Sequence, residues 1–367
     1  MNRLLALADA GQSVWIDFIR RALLDSGELE RLVREDGVAG VTSNPTIFEK
    51  AIAGSTDYDL AIKALAGDGK SVDEIYEALV LHDISLTADL FLPVYVQTRG
   101  LDGYVSVEVN PALAYEADGT ISEAKRLFSL LGRNNVMIKV PATRAGIPAI
   151  EALIAQGVNV NVTLLFSVGR YIEAAEAYLA GLEKRLASGG DLGAVASVAS
   201  FFVSRLDTAV DTELQKAASL DLQGRAAIAN AKIAYERFKT VFSGDRWERL
   251  AGHGARVQRL LWASTGTKNP NYPDTLYVDG LIGPHTVNTL PPATLGAFID
   301  HGMVAPALDA GVDEAKRHLD RLKSLGIDID AITARLEDEG VRAFAASFDA
   351  LMNSISTKRS EVSQPCR

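Results

Sequence analysis

The sequence predicts an α/β protein with the architecture of a (β/α)8 barrel. Short runs of strand character alternate with stretches of helical period, a pattern that indicates βαβ units and a parallel sheet. About eight such units in one chain fit a closed barrel. The alternative, a doubly wound open sheet that binds a nucleotide, normally has a glycine-rich first turn, and no G-x-G-x-x-G follows any predicted strand. No repeat and no linker rich in proline or glycine divides the chain, so we favour one domain over two.

The elements follow from hydrophobic period and composition. The predicted strands are 13–18, 38–43, 104–110, 136–142, 159–166, 194–202, 257–264 and 275–283. Apolar residues at three- and four-residue spacing predict helices at 122–131, 167–186, 205–218 and 224–242. We therefore expect one barrel domain over 1–353, with extra helices at 48–99 and 295–352, followed by a polar and disordered tail over 354–367.

Composition limits the classes of partner and compartment. The chain has 367 residues, 48% of them hydrophobic, a formal net charge of -10 and a pI near 5.1. An acidic chain argues against nucleic-acid and anionic-membrane partners, which need a basic face, but a small anionic ligand needs only a few local cations. The single cysteine, Cys366, allows no disulfide within one chain. With no unbroken apolar run of roughly 18 residues and no secretory signal, we expect a cytoplasmic protein.

Several familiar catalytic and nucleotide-binding patterns are absent or better explained otherwise. GDGKS at 67–71 resembles a P-loop, but Ala64 occupies the place of its first glycine, whereas Ser71 and Glu74 predict a capping box that opens a helix. No G-x-S-x-G is present. The histidines are scattered without H-E-x-x-H spacing and are expected in packing or surface roles: His82, His253, His285, His301 and His318.

Polar side chains alternate with valines in two predicted strands, YVSVEVN at 104–110 and NVNVTLLF at 159–166. In antiparallel strands the polar face would simply meet water. In a parallel barrel the valines pack on helices and the polar face points inward, where carboxylates and amides are unfavourable unless paired or used in function. The alternation of strands and helices favours the second interpretation, a functional polar interior.

Lys139, in the apolar run VMIKVP, has two interpretations. It is either a strand-end lysine that snorkels to water or a desolvated amine that attacks a carbonyl. Its companions favour the amine nucleophile, because catalytic residues of this fold come from the carboxyl ends of several strands. An amine with two carboxylates suits imine chemistry, whereas a glycosidase, which also uses paired carboxylates, would leave the lysine unexplained. The residues at or near such strand ends are Asp17, Asn44, Glu108, Lys139, Asn161 and Thr163.

These segments together resemble the transaldolase family. TSNPT at 42–46 resembles the family's T-[ST]-N-P-[ST] signature, and IKVPAT at 138–143 resembles the segment around its Schiff-base lysine. VSVEV at 105–109 and VNVTLLFS at 160–167 are similar to two further strands, in the same order along the chain. The opening WIDFIRR and the long carboxyl-terminal region resemble the bacterial subgroup that also occurs fused to glucose-6-phosphate isomerase.

The resemblance implies a class I aldolase-type TIM barrel that moves a dihydroxyacetone unit from sedoheptulose 7-phosphate to glyceraldehyde 3-phosphate. It implies sugar-phosphate substrates, no cofactor and no metal, and a monomer or homodimer. Lys139 would form the imine, Asp17 would take the proton of the C4 hydroxyl, and Glu108 would move protons through a water held by Thr163. The implied substrate-binding residues are Asn44, Asn161, Ser200, Phe202, Arg205, Ser264 and Lys268.

One departure and one alternative accompany the resemblance. ASTGTKN at 263–269 stands where many relatives have A-S-x-R-N, so Lys268 replaces the arginine only with a longer spacing. SFFVSR at 200–205 resembles the family's S-x-F-V-x-R segment and makes Arg205 the expected phosphate ligand. The alternative is a fructose-6-phosphate aldolase, which releases dihydroxyacetone. The longer chain and Phe202, where such aldolases tend to have a tyrosine, argue against it, and a non-catalytic sugar-phosphate-binding barrel would not need Lys139 with both carboxylates.

Overall fold

Eight parallel strands form a closed barrel in the computed structural model, which describes residues 2–362. Each strand pairs with its neighbours in chain order, and β1 closes the barrel on β8. This confirms the predicted (β/α)8 architecture. The strands are β1 (Gln12–Ile16), β2 (Gly40–Thr42), β3 (Tyr104–Glu108), β4 (Val136–Pro141), β5 (Val160–Leu165), β6 (Ser197–Phe202), β7 (Arg259–Ala263) and β8 (Thr286–Leu290).

Helices surround the barrel, and all four that were predicted by residue range are present with small shifts at their ends. Ser71 and Glu74 form the expected capping box at the start of α6, so this segment opens a helix rather than a P-loop. The helices are α1 (Arg3–Asp9), α2 (Arg21–Asp25), α3 (Glu28–Asp36), α4 (Pro45–Ala53), α5 (Asp59–Gly67), α6 (Val72–Gln97), α7 (Ala117–Leu131), α8 (Gly146–Ala155), α9 (Val168–Ala187), α10 (Ser204–Lys216), α11 (Ala226–Val241), α12 (Gly244–Gly252), α13 (Leu276–Asp279), α14 (Pro292–His301), α15 (Val312–Ser324) and α16 (Ile329–Val362).

The eighth strand lies later in the chain than the sequence predicted. Residues 275–283 are not a strand, because the Asp279 amide donates to the Thr275 carbonyl at 2.9 Å and closes the helical turn of α13. The Thr275 hydroxyl also bonds the Asp279 carboxylate at 2.8 Å. The true strand, β8, reads TVNTL, and all five of its residues are buried although three are polar. The polar side chains of β8 gave no strand signal in the sequence, although the closed barrel buries all of its residues.

The carboxyl-terminal region differs from the prediction in two ways. It is not helical throughout 295–352, since α14, α15 and α16 are separated by irregular segments. The polar tail does not begin at 354, because α16 continues to Val362. Leu351 and Ile355 are fully buried, and the Lys358 ammonium donates to the Ser55 carbonyl and pairs with Asp59, so packing and charge hold these turns on the barrel. The rest of the predicted tail, 363–367, lies outside the described residues.

Helix α6 is the one helix within residues 2–362 that is long and apolar enough to cross a membrane by length and composition alone. Polar residues interrupt its apolar run, so the sequence shows no unbroken apolar stretch there. Its buried Asp83 accepts hydrogen bonds from the Arg21 guanidinium at 2.7 Å and from the Tyr58 hydroxyl at 2.8 Å. A buried and paired carboxylate in mid-helix is typical of a helix packed in a protein core.

Candidate active site

Lys139 lies on β4 and is only 4% exposed. Its ammonium donates to the Ser43 carbonyl at 3.1 Å, lies 3.9 Å from the Glu108 carboxylate and sits 5.9 Å from the centre of the Phe344 ring. Of the two interpretations of this lysine, the structure excludes the strand-end residue that snorkels to water. The amine points into the interior, where a neighbouring carboxylate balances its charge.

Strand register aligns three of the expected site residues across the barrel. Glu108 on β3 pairs with Lys139 on β4, which in turn pairs with Asn161 on β5. The amide nitrogen of Asn161 donates to the Ser106 hydroxyl at 3.0 Å, and its oxygen accepts from Ser200 at 2.6 Å. Asn161 therefore has both ends of its amide fixed beside the lysine.

Glu108 is a buried carboxylate in ion-pair contact with Lys139. Burial raises the pKa of Glu108 to about 7, while the charge of Lys139 opposes this rise and the charge of Asp17 adds to it. One carboxylate oxygen, Oε2, is buried without a hydrogen-bond partner. Glu108 also borders a separate cavity of 160 Å³, with Tyr76 and Asn110 in its wall. A carboxyl with this pKa can both accept and donate a proton near neutral pH.

Asp17 directly follows β1 and lines the cavity above Lys139. Its Oδ1 accepts a hydrogen bond from the Thr42 hydroxyl at 2.8 Å. Burial raises the pKa of Asp17, and the charge of Lys139, the Thr42 bond and the charge of Lys268 act against that rise. The two carboxylates thus differ in setting, because Asp17 accepts a hydrogen bond from a hydroxyl and faces the cavity, whereas Oε2 of Glu108 has an ion-pair contact with Lys139 but no hydrogen bond within residues 2–362.

Thr163 lies at an irregularity in β5. The register shifts between Val162 and Leu165, so that Thr163 and Leu164 together face Ser200 of β6. Leu164 has a φ of 60°, a left-handed conformation that is unfavourable for a branched side chain. Within residues 2–362 the Thr163 hydroxyl is buried and has no hydrogen-bond partner. A buried hydroxyl of this kind can hold a bound water.

A cavity of 460 Å³ opens over Lys139 at the carboxyl ends of the strands. Its volume is in the range of small-molecule sites. Asn44 in its wall also caps α4, accepting from the Ile47 amide at 3.0 Å. Three expected residues, Glu108, Asn161 and Thr163, do not line this cavity. The expected residues that do are Asp17, Asn44, Lys139, Ser200, Phe202, Arg205, Ser264 and Lys268.

Arg205 stands at the start of α10 with its guanidinium 5.5 Å from the centre of the Phe202 ring. Within residues 2–362 this guanidinium has no ion-pair or side-chain hydrogen-bond partner. Burial lowers the pKa of Arg205, and the charge of Glu339 opposes that shift. A phosphate would supply the missing partner for a partly buried cation.

Ser264 and Lys268 follow β7, the strand that pairs with β6 in the barrel. Ser264 has a φ of 56°, and its hydroxyl lies 2.9 Å from that of Ser204, next to Arg205. Lys268 is exposed at the cavity edge. Lys268 therefore reaches the cavity although the spacing of this segment is longer than in many relatives.

Sequence reasoning missed several residues of the site. The Thr42 hydroxyl lies 2.6 Å from that of Thr289, and both residues line the cavity with Lys50. Thr42 stands inside the quoted TSNPT segment, so the signal was present. Phe344 faces Lys139 from α16, and nothing in its helical segment distinguishes it from an ordinary core residue. No three His, Cys, Asp or Glu side chains are grouped to hold a metal ion in the part of the chain that the structure describes.

Comparison with known proteins adds to this geometry. The sequence profile of the transaldolase/fructose-6-phosphate aldolase family matches residues 14–355. The chain is 49% identical to "Transaldolase 2" of Nostoc sp. over 98% of both chains, and 49% identical to "Transaldolase" of Thiobacillus denitrificans over 97% of this chain and all of that one. It is also 49% identical to "Transaldolase" of Thermobifida fusca, over 95% of this chain and 96% of the relative. A match over nearly the whole length, around a buried strand lysine flanked by a carboxylate, means that the chain belongs to the transaldolase/fructose-6-phosphate aldolase family.

Proposed function

We propose that this protein is a transaldolase, a transferase that moves a dihydroxyacetone unit from sedoheptulose 7-phosphate to glyceraldehyde 3-phosphate. The products are erythrose 4-phosphate and fructose 6-phosphate, and the pathway is the non-oxidative pentose phosphate pathway. The observation that carries this proposal is the buried Lys139 amine, 3.9 Å from Glu108, in a cavity that Arg205 and Lys268 also line. Full-length relatives named transaldolase favour transfer over the aldolase reaction of the same family.

Imine formation is assigned to Lys139 and Glu108. The Lys139 nitrogen attacks the C2 carbonyl of the ketose, and the resulting carbinolamine loses its hydroxyl as water. Glu108 accepts a proton from the nitrogen and delivers one to the departing hydroxyl. A water between the unpaired Glu108 Oε2 and the unpaired Thr163 hydroxyl would carry these protons. The same groups act in reverse when the product imine is hydrolysed.

Carbon–carbon cleavage is assigned to Asp17. Its carboxylate removes the proton of the C4 hydroxyl while the C3–C4 bond breaks, and the electron pair of that bond moves toward the iminium nitrogen of Lys139. The aldose leaves and an enamine of dihydroxyacetone remains on the lysine. The enamine carbon then attacks the acceptor aldehyde, and Asp17 returns the proton to the new hydroxyl. The hydrogen bond from Thr42 fixes the carboxylate in the cavity wall for both transfers.

Substrate recognition is assigned to the remaining cavity residues. Arg205, whose guanidinium lacks a partner within residues 2–362, binds the phosphate with help from Ser264 and Lys268. Asn44, Ser200 and Asn161 orient the hydroxyls of the dihydroxyacetone unit, with Phe202 as the apolar wall. We further propose a cytoplasmic monomer or homodimer without cofactor or metal, since the iminium supplies the electron sink that a divalent ion supplies in metal-dependent aldolases.

The decisive experiment follows the acceptor dependence. Incubation with fructose 6-phosphate and erythrose 4-phosphate should yield sedoheptulose 7-phosphate, with little free dihydroxyacetone when the acceptor is omitted. Accumulation of dihydroxyacetone at the same rate would identify an aldolase instead. A chain that binds sugar phosphates without turnover of either kind would be a non-catalytic barrel.

Trapping with borohydride tests the nucleophile separately. In the presence of fructose 6-phosphate, reduction should inactivate the enzyme and add a dihydroxyacetone-derived or hexose-derived mass to the peptide containing Lys139. Lys139→Ala should neither trap nor turn over, while Lys50→Ala, which removes another lysine of the same cavity, should still trap. A tag on any other lysine would contradict the assignment.

A further inference from the structure

A second large cavity lies outside the barrel, between α11 and α15. Its volume is 630 Å³, against 460 Å³ for the cavity over Lys139. Helices α11 and α15 form two of its walls, and the segment that contains Tyr272 and Leu276 forms another. None of the residues assigned to the transaldolase reaction lines it, so the proposed function does not account for this cavity.

The lining is strongly cationic in a chain whose formal net charge is -10. Arg225, Lys232, Arg317 and Arg321 line the cavity, against the single carboxylate of Glu314. Within residues 2–362, none of these three guanidinium groups has an ion-pair or side-chain hydrogen-bond partner. Elsewhere on the surface arginines commonly pair with carboxylates, as Arg246 does with two glutamates. Unpaired cations collected in one concave site favour an anionic ligand.

His318 provides an independent sign of a missing ligand. The residue is 9% exposed and lines the cavity, and within residues 2–362 its Nε2 is buried without any hydrogen-bond partner. Burial and the nearby charge of Arg225 lower the pKa of His318, while the charges of Glu314 and Asp211 act against that shift. Buried polar atoms are normally hydrogen-bonded, and a ligand in the cavity would supply the partner that the protein does not.

The remaining surface of the cavity is apolar and includes an aromatic ring. Leu222, Ile228 and Leu276 line it together with Tyr272. The Tyr272 hydroxyl donates to the Asp211 carboxylate at 2.6 Å, and Gly224 packs so closely on the ring that a Cβ there would lie 2.8 Å from it. The ring is therefore fixed in place as a surface on which a flat apolar group can pack.

We propose that this cavity binds a small molecule that combines a phosphate chain with an aromatic ring, which is the chemistry of a nucleotide. The phosphates contact Arg225, Arg317 and Arg321, His318 bonds a polar atom of the ligand, and the ring packs on Tyr272 and Leu276. A simple sugar phosphate would leave the apolar surface uncovered, and a purely apolar ligand would leave the cations unpaired.

Calorimetric titration of the full chain, with EDTA present, tests the proposal with three probes: ATP, inorganic triphosphate and adenosine. ATP should bind more tightly than either part alone. The double variant Arg317→Ala/Arg321→Ala should weaken ATP binding by about tenfold or more, because each lost charge-assisted hydrogen bond is worth roughly that factor. The matched control Arg237→Ala/Lys316→Ala removes two exposed charges from the same helices without touching the cavity lining, and should bind ATP normally.

Four results would overturn the proposal. The first three are no ATP binding at millimolar concentration, equal affinity for ATP and inorganic triphosphate, and an equal loss of ATP affinity in the test and control variants. The fourth is ATP binding that is lost in Arg205→Ala but kept in Arg317→Ala/Arg321→Ala, which would place the nucleotide in the catalytic cavity. All the substituted arginines of the test variant are exposed, so circular dichroism should confirm unchanged folding.

Discussion

At the scale of single residues, Asp17 and Glu108 are two carboxylates near one lysine in different settings. Asp17 accepts a hydrogen bond from Thr42 and faces the substrate cavity. Glu108 lies outside that cavity, and its Oε2 is 3.9 Å from the Lys139 ammonium but accepts no hydrogen bond within residues 2–362. Asp17→Asn should therefore still form the borohydride-trapped imine but fail to cleave the C3–C4 bond, with a loss in turnover of about 10²–10⁴-fold. Rapid-quench trapping measures the first step and aldose release the second. Trapping and release that fall together would contradict the division of roles.

Glu108 should set the acidic limb of the pH profile. Its folded pKa is about 7, so the carboxylate that accepts protons prevails above that pH and the protonated acid below it. If it acts as a base in imine formation, the rate of trapping by the free enzyme should fall as the pH drops below about 7. Glu108→Gln should slow trapping and abolish this inflection. An unchanged inflection in that variant would assign the titration to another group.

Arg205 should act mainly on substrate binding. Its guanidinium has no protein partner within residues 2–362 and lies at the cavity wall, so Arg205→Ala should raise KM for fructose 6-phosphate strongly and change kcat less. Steady-state kinetics with dihydroxyacetone as donor and glyceraldehyde as acceptor is the control, because neither of these substrates has a phosphate. An equal loss on both donors would make Arg205 a structural residue.

Lys268→Ala should raise KM less than Arg205→Ala does. Lys268 is exposed, and its flexible ammonium cannot hold two phosphate oxygens at once as a guanidinium does.

At the scale of elements, helix α16 contributes to the active site, which its sequence did not indicate. It carries Phe344 over Lys139, and Gly340 packs so closely against the strained Leu164 that a Cβ would lie 2.9 Å from that side chain. Leu164 is next to Thr163, the residue expected to bind a water. The helix therefore supports the irregular part of β5 that positions Thr163. The helix is thus part of the active-site architecture rather than an external addition.

The last turns of α16 should contribute to stability. Ile355 is fully buried beyond the point where the sequence predicted a disordered tail. Ile355→Ala should lower the free energy of unfolding by about 2–5 kcal/mol, the usual effect of truncating a buried isoleucine. Ser356→Ala, next to it on the exposed side, should have no comparable effect. Urea denaturation compares the two, and equal stability would mean that the helix ends earlier.

The elements also indicate how far sequence reasoning reaches. Seven strands were located because their short runs of apolar residues are strong local signals. Strand β8 was missed since its threonines and asparagine are buried only when the barrel closes, a tertiary effect that no local pattern carries. The same holds for Phe344, whose approach to Lys139 depends on how α16 crosses the barrel. Lys139 was predictable because a lone lysine in an apolar strand is rare whatever the fold.

At the scale of the whole molecule, chemistry and stability occupy opposite ends of the barrel. The proposed catalytic residues lie toward the carboxyl ends of the strands. Near the amino ends, Asp102 accepts hydrogen bonds from Trp15 at 2.9 Å and Ser13 at 2.7 Å and forms a buried ion pair with Arg259 at 2.9 Å. One carboxylate thus joins β1 and β7 to the segment before β3, and no substrate group is expected to reach it.

Replacing that carboxylate should therefore change stability and leave catalysis intact. Asp102→Ala strands the Arg259 guanidinium, which is 5% exposed, without its counter-ion, and breaking a buried pair in this way typically costs about 3–5 kcal/mol. Urea denaturation should report this loss, while kcat/KM of the folded fraction at low temperature stays near the parent value. Asp89→Ala, which removes an exposed pair with Arg133, is the matched control and should cost no more than about 1 kcal/mol. If Asp102→Ala impaired turnover as strongly as it impaired folding, the amino-terminal end of the barrel would have to be coupled to the site around Lys139.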